Sequence, residues 1–242
     1  MLKAIFFDLD GTLTDDGDTI ADALAKACAV VYRRWPELEA TELAIVYRQV
    51  SDAAWDDYDR NLRHLLSPEA MLASVWNRTL ARWDLRDPAV IQEAVETYWH
   101  HRLRNCRAYP DVLPLLPRLA DRFHLSLLTN GAPAMQRAKF AATGLAPFFQ
   151  QVFVGGEFAR GKPDPAIFQA ALQAADCRPD QAVHIGDSLA HDIAGARGVG
   201  VRSVWLNRRN VDRTGLAHTP DLEIGSLADL LECLEKIGSF SH

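Results

Sequence analysis

Long apolar runs, basic runs and paired cysteines are all missing from this 242-residue sequence. No apolar stretch is long enough to cross a membrane, and the chain enters a predicted strand at once, without the charged and apolar regions of a signal peptide. The net charge is −6 and the basic residues are scattered, which argues against general electrostatic binding of nucleic acid. We therefore expect a cytoplasmic protein with neither a membrane nor a nucleic-acid polymer as its partner.

The cysteines are also too far apart in sequence to form a metal-binding pair. Reduced thiols are the simplest interpretation in a cytoplasmic protein. Apolar residues make up 48% of the chain and charged residues 24%, as in an ordinary globular protein. The length allows one large domain or a core with an insertion, and no internal repeat is present. The four cysteines are Cys28, Cys106, Cys177 and Cys233.

Between residues 15 and 107, the apolar residues have the spacing that is typical of helices. Apolar residues recur every three or four positions, as in Ile20, Leu24 and Ala27. Five of the six tryptophans fall in this part of the chain, which favours the core of a helical bundle over a ligand site. We interpret residues 15–107 as an inserted all-helical domain. Its helices after the first are predicted near residues 37–50, 53–66, 68–83 and 88–103.

Strands and helices alternate in the rest of the chain. This alternation implies parallel strand pairing with right-handed crossovers. We therefore predict an α/β fold, a doubly wound Rossmann-like parallel-sheet core made of residues 1–14 and 108–242, with the helical domain inserted. Helices are predicted between the strands, the first near residues 111–116. The predicted strands lie at residues 4–7, 123–128, 151–154, 182–185, 201–206 and 222–224.

Two carboxylates, those of Asp8 and Asp10, follow the first strand, and Gly11 and Thr12 then break it. Ligands of open α/β sheets bind beyond the carboxyl ends of the strands, so both acids should lie at that edge. Two acids so close repel each other unless a cation or a shared proton relieves them. The arrangement favours a divalent metal and offers one carboxylate as a nucleophile. An Asx-type turn, in which Asp and Gly are common, is the alternative.

Polar residues also follow the second and third strands. Thr129, Asn130 and Gly131 offer a hydroxyl and backbone N–H groups that suit phosphate oxygens, and the glycine permits close approach. A helix N-cap with a turn glycine is the alternative there. Lys162 lies between a glycine and a proline, on a rigid loop that holds its charge at one position. The alternative is an ordinary solvated lysine, which is the usual state of an isolated lysine at the surface.

The fourth strand ends at Asp187, which is placed to join the acids of the first strand. Asp192 follows five residues later, in the first turns of the next helix. One acidic cap is common, but capping does not need a second acid at this distance. Asp192 therefore fits an outer partner that orients the ligands of a metal.

These four segments, in this order, resemble the motifs of the haloacid dehalogenase-like hydrolases. That superfamily consists mostly of Mg²⁺-dependent phosphatases that use an aspartyl-phosphate intermediate. The insertion after the first motif resembles the small helical cap of its first cap class (C1, subfamily I). Residues 127–131, 154–157 and 161–163 look most like the branch of N-acylneuraminate 9-phosphatase and nucleotidases. The motifs are Asp8-Leu9-Asp10-Gly11-Thr12, Thr129-Asn130-Gly131, Lys162, and Gly186-Asp187-Ser188 with Asp192.

The resemblance implies a role for each of these residues. Asp8 is the nucleophile and Asp10 the general acid–base, which protonates the leaving oxygen and then activates water. Mg²⁺ is held by the carboxylates of Asp8 and Asp187 and the main-chain carbonyl of Asp10, with Asp192 on a bound water. The remaining motif residues bind the phosphoryl oxygens of a small phosphorylated metabolite, a sugar phosphate or a nucleoside monophosphate. They are Thr129, Asn130, Gly131 and Lys162, the last of which also serves catalysis.

Three alternatives compete with a phosphatase. A haloacid dehalogenase shares the fold and the nucleophile but lacks the second acid, so Asp10 argues against it. A phosphoglucomutase-like phosphotransferase keeps both acids but has a histidine ten residues after the second, where this chain has Ile20. A non-enzymatic binding protein on the same fold is disfavoured, because every expected catalytic residue is present.

Polar residues of the helical insertion are candidates for contact with the leaving group. They are Asp16, Arg60, Arg63 and His64, and an exposed helical face is the simpler interpretation of each. Gly17, near the point where the chain enters the insertion, is a candidate hinge.

Overall fold

The computed structural model describes residues 1–15, 17–56, 58–65, 67–212 and 217–239. The chain forms two compact units. The first combines Met1–Asp15, Arg107–Gln136 and Thr143–His242, and the second combines Asp16–Cys106 with Arg137–Ala142. The domain boundaries drawn from the sequence, after residue 14 and after residue 107, stay a prediction.

A six-stranded parallel sheet forms the first unit. The first strand of the chain lies inside the sheet, with the second and third strands on one side of it and the fourth, fifth and sixth on the other. The predicted doubly wound α/β core is confirmed. The strands are β1 (Ala4–Phe7), β2 (His124–Thr129), β3 (Gln151–Val154), β4 (Ala182–Gly186), β5 (Arg202–Leu206) and β6 (Leu222–Ile224).

The four residues of β1 are all buried, which requires an apolar side chain at every position of a strand covered on both faces. β1 lies between β2 and β4, and Phe7 pairs in register with Leu127 of β2 and Ile185 of β4. The three strands therefore end at the same edge of the sheet. This edge is the point where the strand order reverses, the usual ligand site of such folds.

The second unit is helical. Pro68 and Pro88 begin two of its helices. Proline suits this position because an N–H in the first turn has no acceptor within the helix. Ser67 and Asp87 cap the same helices by accepting hydrogen bonds from first-turn amides at 3.1 and 3.2 Å. The helices are α1 (Gly17–Arg34), α2 (Ala40–Asp56), α3 (Tyr58–Asn61), α4 (Pro68–Leu80) and α5 (Pro88–Asn105).

Three of the five tryptophans in this unit belong to its core. Trp76 is completely buried, with its ring centroid 4.5 Å from that of Tyr47, and Trp35 and Trp99 are also buried. The other two are partly exposed. No described helix is long and apolar enough to cross a membrane.

Two predicted helices have the wrong boundaries. Residues 53–56 continue α2, and α3 covers only four residues of the helix predicted at 53–66. No proline or glycine separates residues 50 and 53, so α2 runs on through the predicted gap. Residues 111–115 form turns, and the predicted helix begins only at Leu116, because the Asp111 carboxylate binds distant groups instead of capping its own helix.

Helices of the first unit cover its sheet. On one face, Ile167 and Phe168 of the helix after β3 pack against Phe6 of β1 and Leu128 of β2. A π-helical segment, Leu189–Ile193, follows β4 and carries Asp192. The α-helices are α6 (Leu116–Ala120), α7 (Pro133–Thr143), α8 (Pro165–Ala174), α9 (Ala194–Gly198) and α10 (Leu230–Ser239).

Candidate active site

Asp8 and Asp10 lie directly beyond the carboxyl end of β1. The Asp8 amide donates to the carbonyl of Ile185 at 3.0 Å, so the sheet ladder extends as far as Asp8, whose side chain is buried. Gly11 then turns the chain with φ of 81°. A Cβ at this position would lie 2.3 Å from Oδ2 of Asp187. Only glycine allows the turn and the approach of Asp187 together.

Lys162 joins the predicted acids into one network. Its Nζ donates to Oδ1 of Asp8 at 2.7 Å, to Oδ1 of Asp192 at 2.6 Å and to the carbonyl of Leu128 at 2.7 Å. The ammonium group has three hydrogens, and these three acceptors match them. Burial alone would lower the pKa of Lys162, but the charges of Asp192 and Asp8 outweigh it and raise the pKa. The lysine therefore carries a permanent positive charge inside the protein.

Asp8, Asp187 and Asp192 form a cluster of carboxylates at the same edge. Each offers one oxygen, and these oxygens lie within 4.8 Å of one another. Burial raises the pKa of Asp8 to about 8, with Lys162 opposing the shift and the neighbouring acids adding to it. Burial and the charge of Asp192 raise the pKa of Asp187 to about 6, although its side chain remains exposed at the surface. One lysine does not offset the charge of these acids, so the cluster favours a further cation.

Asp192 is the most enclosed of the three acids, with 1% of its surface exposed. Besides Lys162, its Oδ1 contacts Nε2 of His184 at 2.8 Å, and its Oδ2 accepts from the amide of Ser188 at 3.0 Å. Burial would raise its pKa, but Lys162 and His184 outweigh this effect and lower the pKa. A Cβ on Gly186 would lie 2.2 Å from Cγ of Asp192, so the strand must end in glycine for this carboxylate to fit.

Asn130 connects the second and third motifs. Its side-chain oxygen accepts from the amide of Lys162 at 2.7 Å, and its side-chain nitrogen donates to the Lys162 carbonyl at 2.9 Å. A Cβ on Gly155 or Gly161 would lie 2.6 or 2.4 Å from the Asn130 oxygen. Asn130 therefore positions the main chain of Lys162, and its role as a ligand of phosphoryl oxygens stays a prediction.

Thr129 and Gly131 flank Asn130 at the end of β2. The Thr129 side chain is buried, and its hydroxyl donates to the carbonyl of Asn130 at 3.3 Å. Gly131 has φ of 111°, a conformation that other residues rarely adopt. Both residues lie at the same sheet edge as Asp8, and their contact with substrate stays a prediction.

Gln136 is a site residue that the sequence analysis missed. It belongs to α7, and its side-chain nitrogen lies 2.8 Å from Oδ2 of Asp10, a contact that spans 126 positions in the chain. The same nitrogen lies 2.7 Å from the Thr129 hydroxyl. No motif marks this glutamine. The same helix carries Arg137 and Lys139, so the sequence held no signal that separated Gln136 from them.

The structure places the four candidate residues for leaving-group contact in the helical unit or outside the described residues. Asp16 and the side chain of Arg60 lie outside the described part of the chain. The guanidinium carbon of Arg63 lies 5.8 Å from the ring centroid of Tyr58, and His64 is exposed. Their predicted role stays a prediction.

Curated relatives of this chain are phosphatases by name. The phosphoserine phosphatase of Thermus thermophilus is 38% identical over 144 residues, which span 59% of this chain and 57% of that relative. The glyceraldehyde 3-phosphate phosphatase of Methanopyrus kandleri is 27% identical over 98% of this chain and 99% of its own length. Human N-acylneuraminate-9-phosphatase is 26% identical over 98% of this chain and 95% of its own length, in line with the resemblance noted above.

One similar solved structure is named a dehalogenase and not a phosphatase. The 2-haloacid dehalogenase of Pseudomonas syringae pv. tomato superposes with a TM-score of 0.71 and 30% identity, covering 98% of this chain and 99% of its own. A family model described as haloacid dehalogenase-like hydrolase matches residues 2–200. The predicted family and the prediction of an enzyme are confirmed. The chain belongs to the haloacid dehalogenase-like hydrolase family.

Proposed function

We propose that this chain is a Mg²⁺-dependent phosphatase that hydrolyses a small phosphorylated metabolite through an aspartyl-phosphate on Asp8. It is a phosphoric monoester hydrolase, as the names of its relatives suggest. Its substrate class is a sugar phosphate or a nucleoside monophosphate. The observation that carries the proposal is the pairing of the acid cluster around Asp8 with a second acid, Asp10, that accepts a hydrogen bond from Gln136.

The carboxylate cluster fits Mg²⁺. Its three acids offer only oxygen atoms, the ligands this hard cation prefers, and these atoms lie within 4.8 Å of one another. Asp8 and Asp187 would hold the ion together with the main-chain carbonyl of Asp10, and Asp192 would hold one of its waters. When bound, Mg²⁺ supplies positive charge to the acids and to the phosphoryl oxygens.

Asp8 performs the first chemical step. Its carboxylate attacks phosphorus, the bond from phosphorus to the leaving oxygen breaks, and Asp10 gives its proton to that oxygen. Lys162 holds Asp8 through Oδ1, which fixes the carboxylate at the end of β1 and leaves its other oxygen for the attack. The permanent charge of Lys162 also offsets the negative charge of the phosphoryl group as it moves in line.

Asp10 acts again in the second step. It takes a proton from water, the water oxygen attacks phosphorus, and the bond between phosphorus and Asp8 breaks to release inorganic phosphate. Asp10 then holds the proton needed for the next cycle. The backbone turn at Gly11 keeps Asp10 beside Asp8 throughout.

A 2-haloacid dehalogenase is the second candidate, favoured by the 30% identical solved structure. In that reaction, the carboxylate would displace a halide from carbon, and a halide leaves without needing a proton. Asp10, which accepts from Gln136, would then have no proton to transfer. A phosphoglucomutase-like phosphotransferase is the less favoured alternative, because Ile20 replaces the histidine that such enzymes carry.

The test is a panel of phosphorylated metabolites and haloacids. With Mg²⁺ we expect phosphate release from at least one sugar phosphate or nucleoside monophosphate, its loss on chelation and its return with added Mg²⁺. Asp8→Asn should abolish turnover of every substrate, while Asp180→Asn, at an exposed acid, serves as the matched control. Chloride release from a haloacid without phosphatase activity would contradict the proposal.

Two finer points belong to this proposal. The helical unit would supply contacts to the leaving group, as its resemblance to the small helical cap of the family implies. A cytoplasmic location is supported by the free thiols of Cys28 and Cys177, because thiols stay reduced in that compartment.

A further inference from the structure

Gln136 is a buried polar residue without a part in the steps above. Its side chain is 6% exposed, and its nitrogen Nε2 lies near three oxygen atoms. They are Oδ2 of Asp10 at 2.8 Å, Oγ1 of Thr129 at 2.7 Å and the carbonyl of Asn130 at 2.6 Å. The Asn130 carbonyl can only accept a hydrogen bond, so the nitrogen of the carboxamide, and not its oxygen, must face this group.

We propose that Gln136 is a positioning residue for Asp10. Its carboxamide selects the side-chain orientation from which Asp10 gives a proton to the leaving oxygen and later takes one from water. The inference rests on the proposed phosphatase function. It assigns to this glutamine a role in proton transfer exerted entirely through Asp10.

The number of hydrogens on the carboxamide supports this role. An amide nitrogen has two hydrogens, and here it faces three acceptors. Thr129 and the Asn130 carbonyl remain within reach of the nitrogen when Asp10 moves to the substrate, so its two hydrogens keep acceptors. Asp10 is held in place and can still be released.

The Thr14 hydroxyl makes a weaker contact with the Asp10 carboxylate. Oγ1 of Thr14 lies 3.4 Å from Oδ1 of Asp10 and 3.1 Å from the carbonyl of Leu9. The hydroxyl has one hydrogen, and the shorter bond to Leu9 competes for it. The contact from Gln136 is thus shorter than the contact from Thr14.

The position of Gln136 is fixed by α7 and by the turn before it. It lies in the first turn of α7, and its amide donates to the Ala132 carbonyl at 3.0 Å. A Cβ on Gly131 would lie 3.4 Å from both Cγ and Nε2 of Gln136, so the turn before the helix packs closely on this side chain. Because the carboxamide is held by the helix, it can serve as a fixed reference for Asp10.

The experiment removes the hydrogen bonds and keeps the volume. Gln136→Met is compared with Gln173→Met, a matched control on the exposed surface of α8. Two probes are used in the presence of Mg²⁺: 4-nitrophenyl phosphate, whose phenolate leaves without a proton, and an alkyl phosphate, whose alkoxide requires one. For Gln136→Met we expect kcat on the alkyl ester to fall about 10- to 100-fold and kcat on the aryl ester less than about 3-fold. KM should change little for either.

A double-mutant cycle tests whether the effect passes through Asp10. In an Asp10→Asn background, Gln136→Met should lower kcat on the alkyl ester by less than about 2-fold, because the group it positions is already gone. An equal loss on both esters in the single variant would show a structural role and overturn the inference. So would a full additional loss in the Asp10→Asn background.

A second variant covers poor folding of Gln136→Met. Gln136→Glu has the same shape but offers an acceptor where a donor is needed, so it should show the same selective loss on the alkyl ester. Unchanged activity on both esters would overturn the inference. If the unaltered chain hydrolyses neither ester with Mg²⁺, the proposed function itself fails, and this outcome is distinct from equal losses in an active enzyme.

Discussion

Arg208 holds the turn that follows Asp8 and Asp10, and removing its side chain tests how strongly this turn is supported. The guanidinium donates to both carboxylate oxygens of Asp111 at 2.9 and 3.0 Å and to the carbonyl of Thr12 at 3.1 Å. Its central carbon lies 3.9 Å from the ring centroid of Tyr109. Thr12 belongs to the first motif, so this one side chain fastens the Asp10 turn to the chain segment returning from the helical unit.

The magnitude follows from these contacts. Arg208→Ala removes three charge-assisted hydrogen bonds, two of them to a carboxylate, and a stacked cation. The side chains of Arg208 and Asp111 are 17% and 15% exposed. Asp111 keeps its bonds from the Ser226 hydroxyl at 2.6 Å and the Leu227 amide at 2.9 Å, which limits the loss. We expect the free energy of unfolding to fall by about 2–3 kcal/mol. The midpoint of thermal unfolding should fall by roughly 5–10 °C in a chain of this size.

The assay is urea unfolding of Arg208→Ala beside Arg209→Ala, an exposed neighbour whose loss should cost less than about 0.5 kcal/mol. The comparison is repeated at low pH. Burial alone would raise the pKa of Asp111, but hydrogen bonds from Arg208 and Ser226 outweigh it, so its pKa lies below the usual range. A lowered folded-state pKa stabilises the protein above the unfolded value of about 4, and this stability disappears as the pH falls further toward the folded-state pKa.

The difference between the unaltered chain and Arg208→Ala should therefore be full at pH 7 and shrink below about pH 4. Equal midpoints for Arg208→Ala and Arg209→Ala at pH 7 would refute the reasoning. A difference that stays constant down to pH 3 would show that packing on Tyr109, and not the ion pair, supplies the stability.

Three further predictions concern the site and the helical unit. Asp10→Asn should lower kcat on an alkyl phosphate by about 10²- to 10⁴-fold and on 4-nitrophenyl phosphate much less; equal losses would exclude Asp10 as the general acid. Gly161→Ala should lower both stability and kcat/KM, because its Cβ would lie 2.4 Å from Oδ1 of Asn130, whereas Gly198→Ala, with no atom within 4 Å of the new Cβ, is a neutral control. Arg63→Ala should lower kcat/KM for the physiological ester and leave a small generic phosphate little affected; proportional losses on both would place specificity in the first unit.

The strand-end residues were predictable because one physical rule covers them. Strands buried on both faces are continuous apolar runs, and parallel strands end at a shared edge. The residue following each run was therefore expected at that edge, and Asp8, Thr129 and Asp187 lie there. This rule needs only the local pattern of apolar residues and the parallel topology, and both can be inferred from the sequence.

Contacts between distant side chains were not predictable in the same way. Gln136 and Arg208 reach the first motif from positions 126 and 196 residues away, and no periodic pattern distinguishes either from its neighbours. Arg208 is half-buried on Tyr109, whereas its neighbour Arg209 is exposed, and the sequence does not distinguish the two. Such partners depend on the loop conformation between strands, which the alternation of apolar residues does not specify.

Asp8 and Asp10 are two positions apart, yet their surroundings suit opposite tasks. Asp8 accepts from the ammonium group of Lys162, while Asp10 accepts from the neutral carboxamide of Gln136. A nucleophilic carboxylate must be ionised, and Lys162 favours that form against the burial that raises the pKa of Asp8. A general acid–base must gain and lose a proton in every cycle, and the neutral carboxamide of Gln136 donates to Asp10 without adding a charge of its own. In the proposed mechanism, the two acids of the first motif are thus held by side chains from outside it, Lys162 of the loop after β3 and Gln136 of α7.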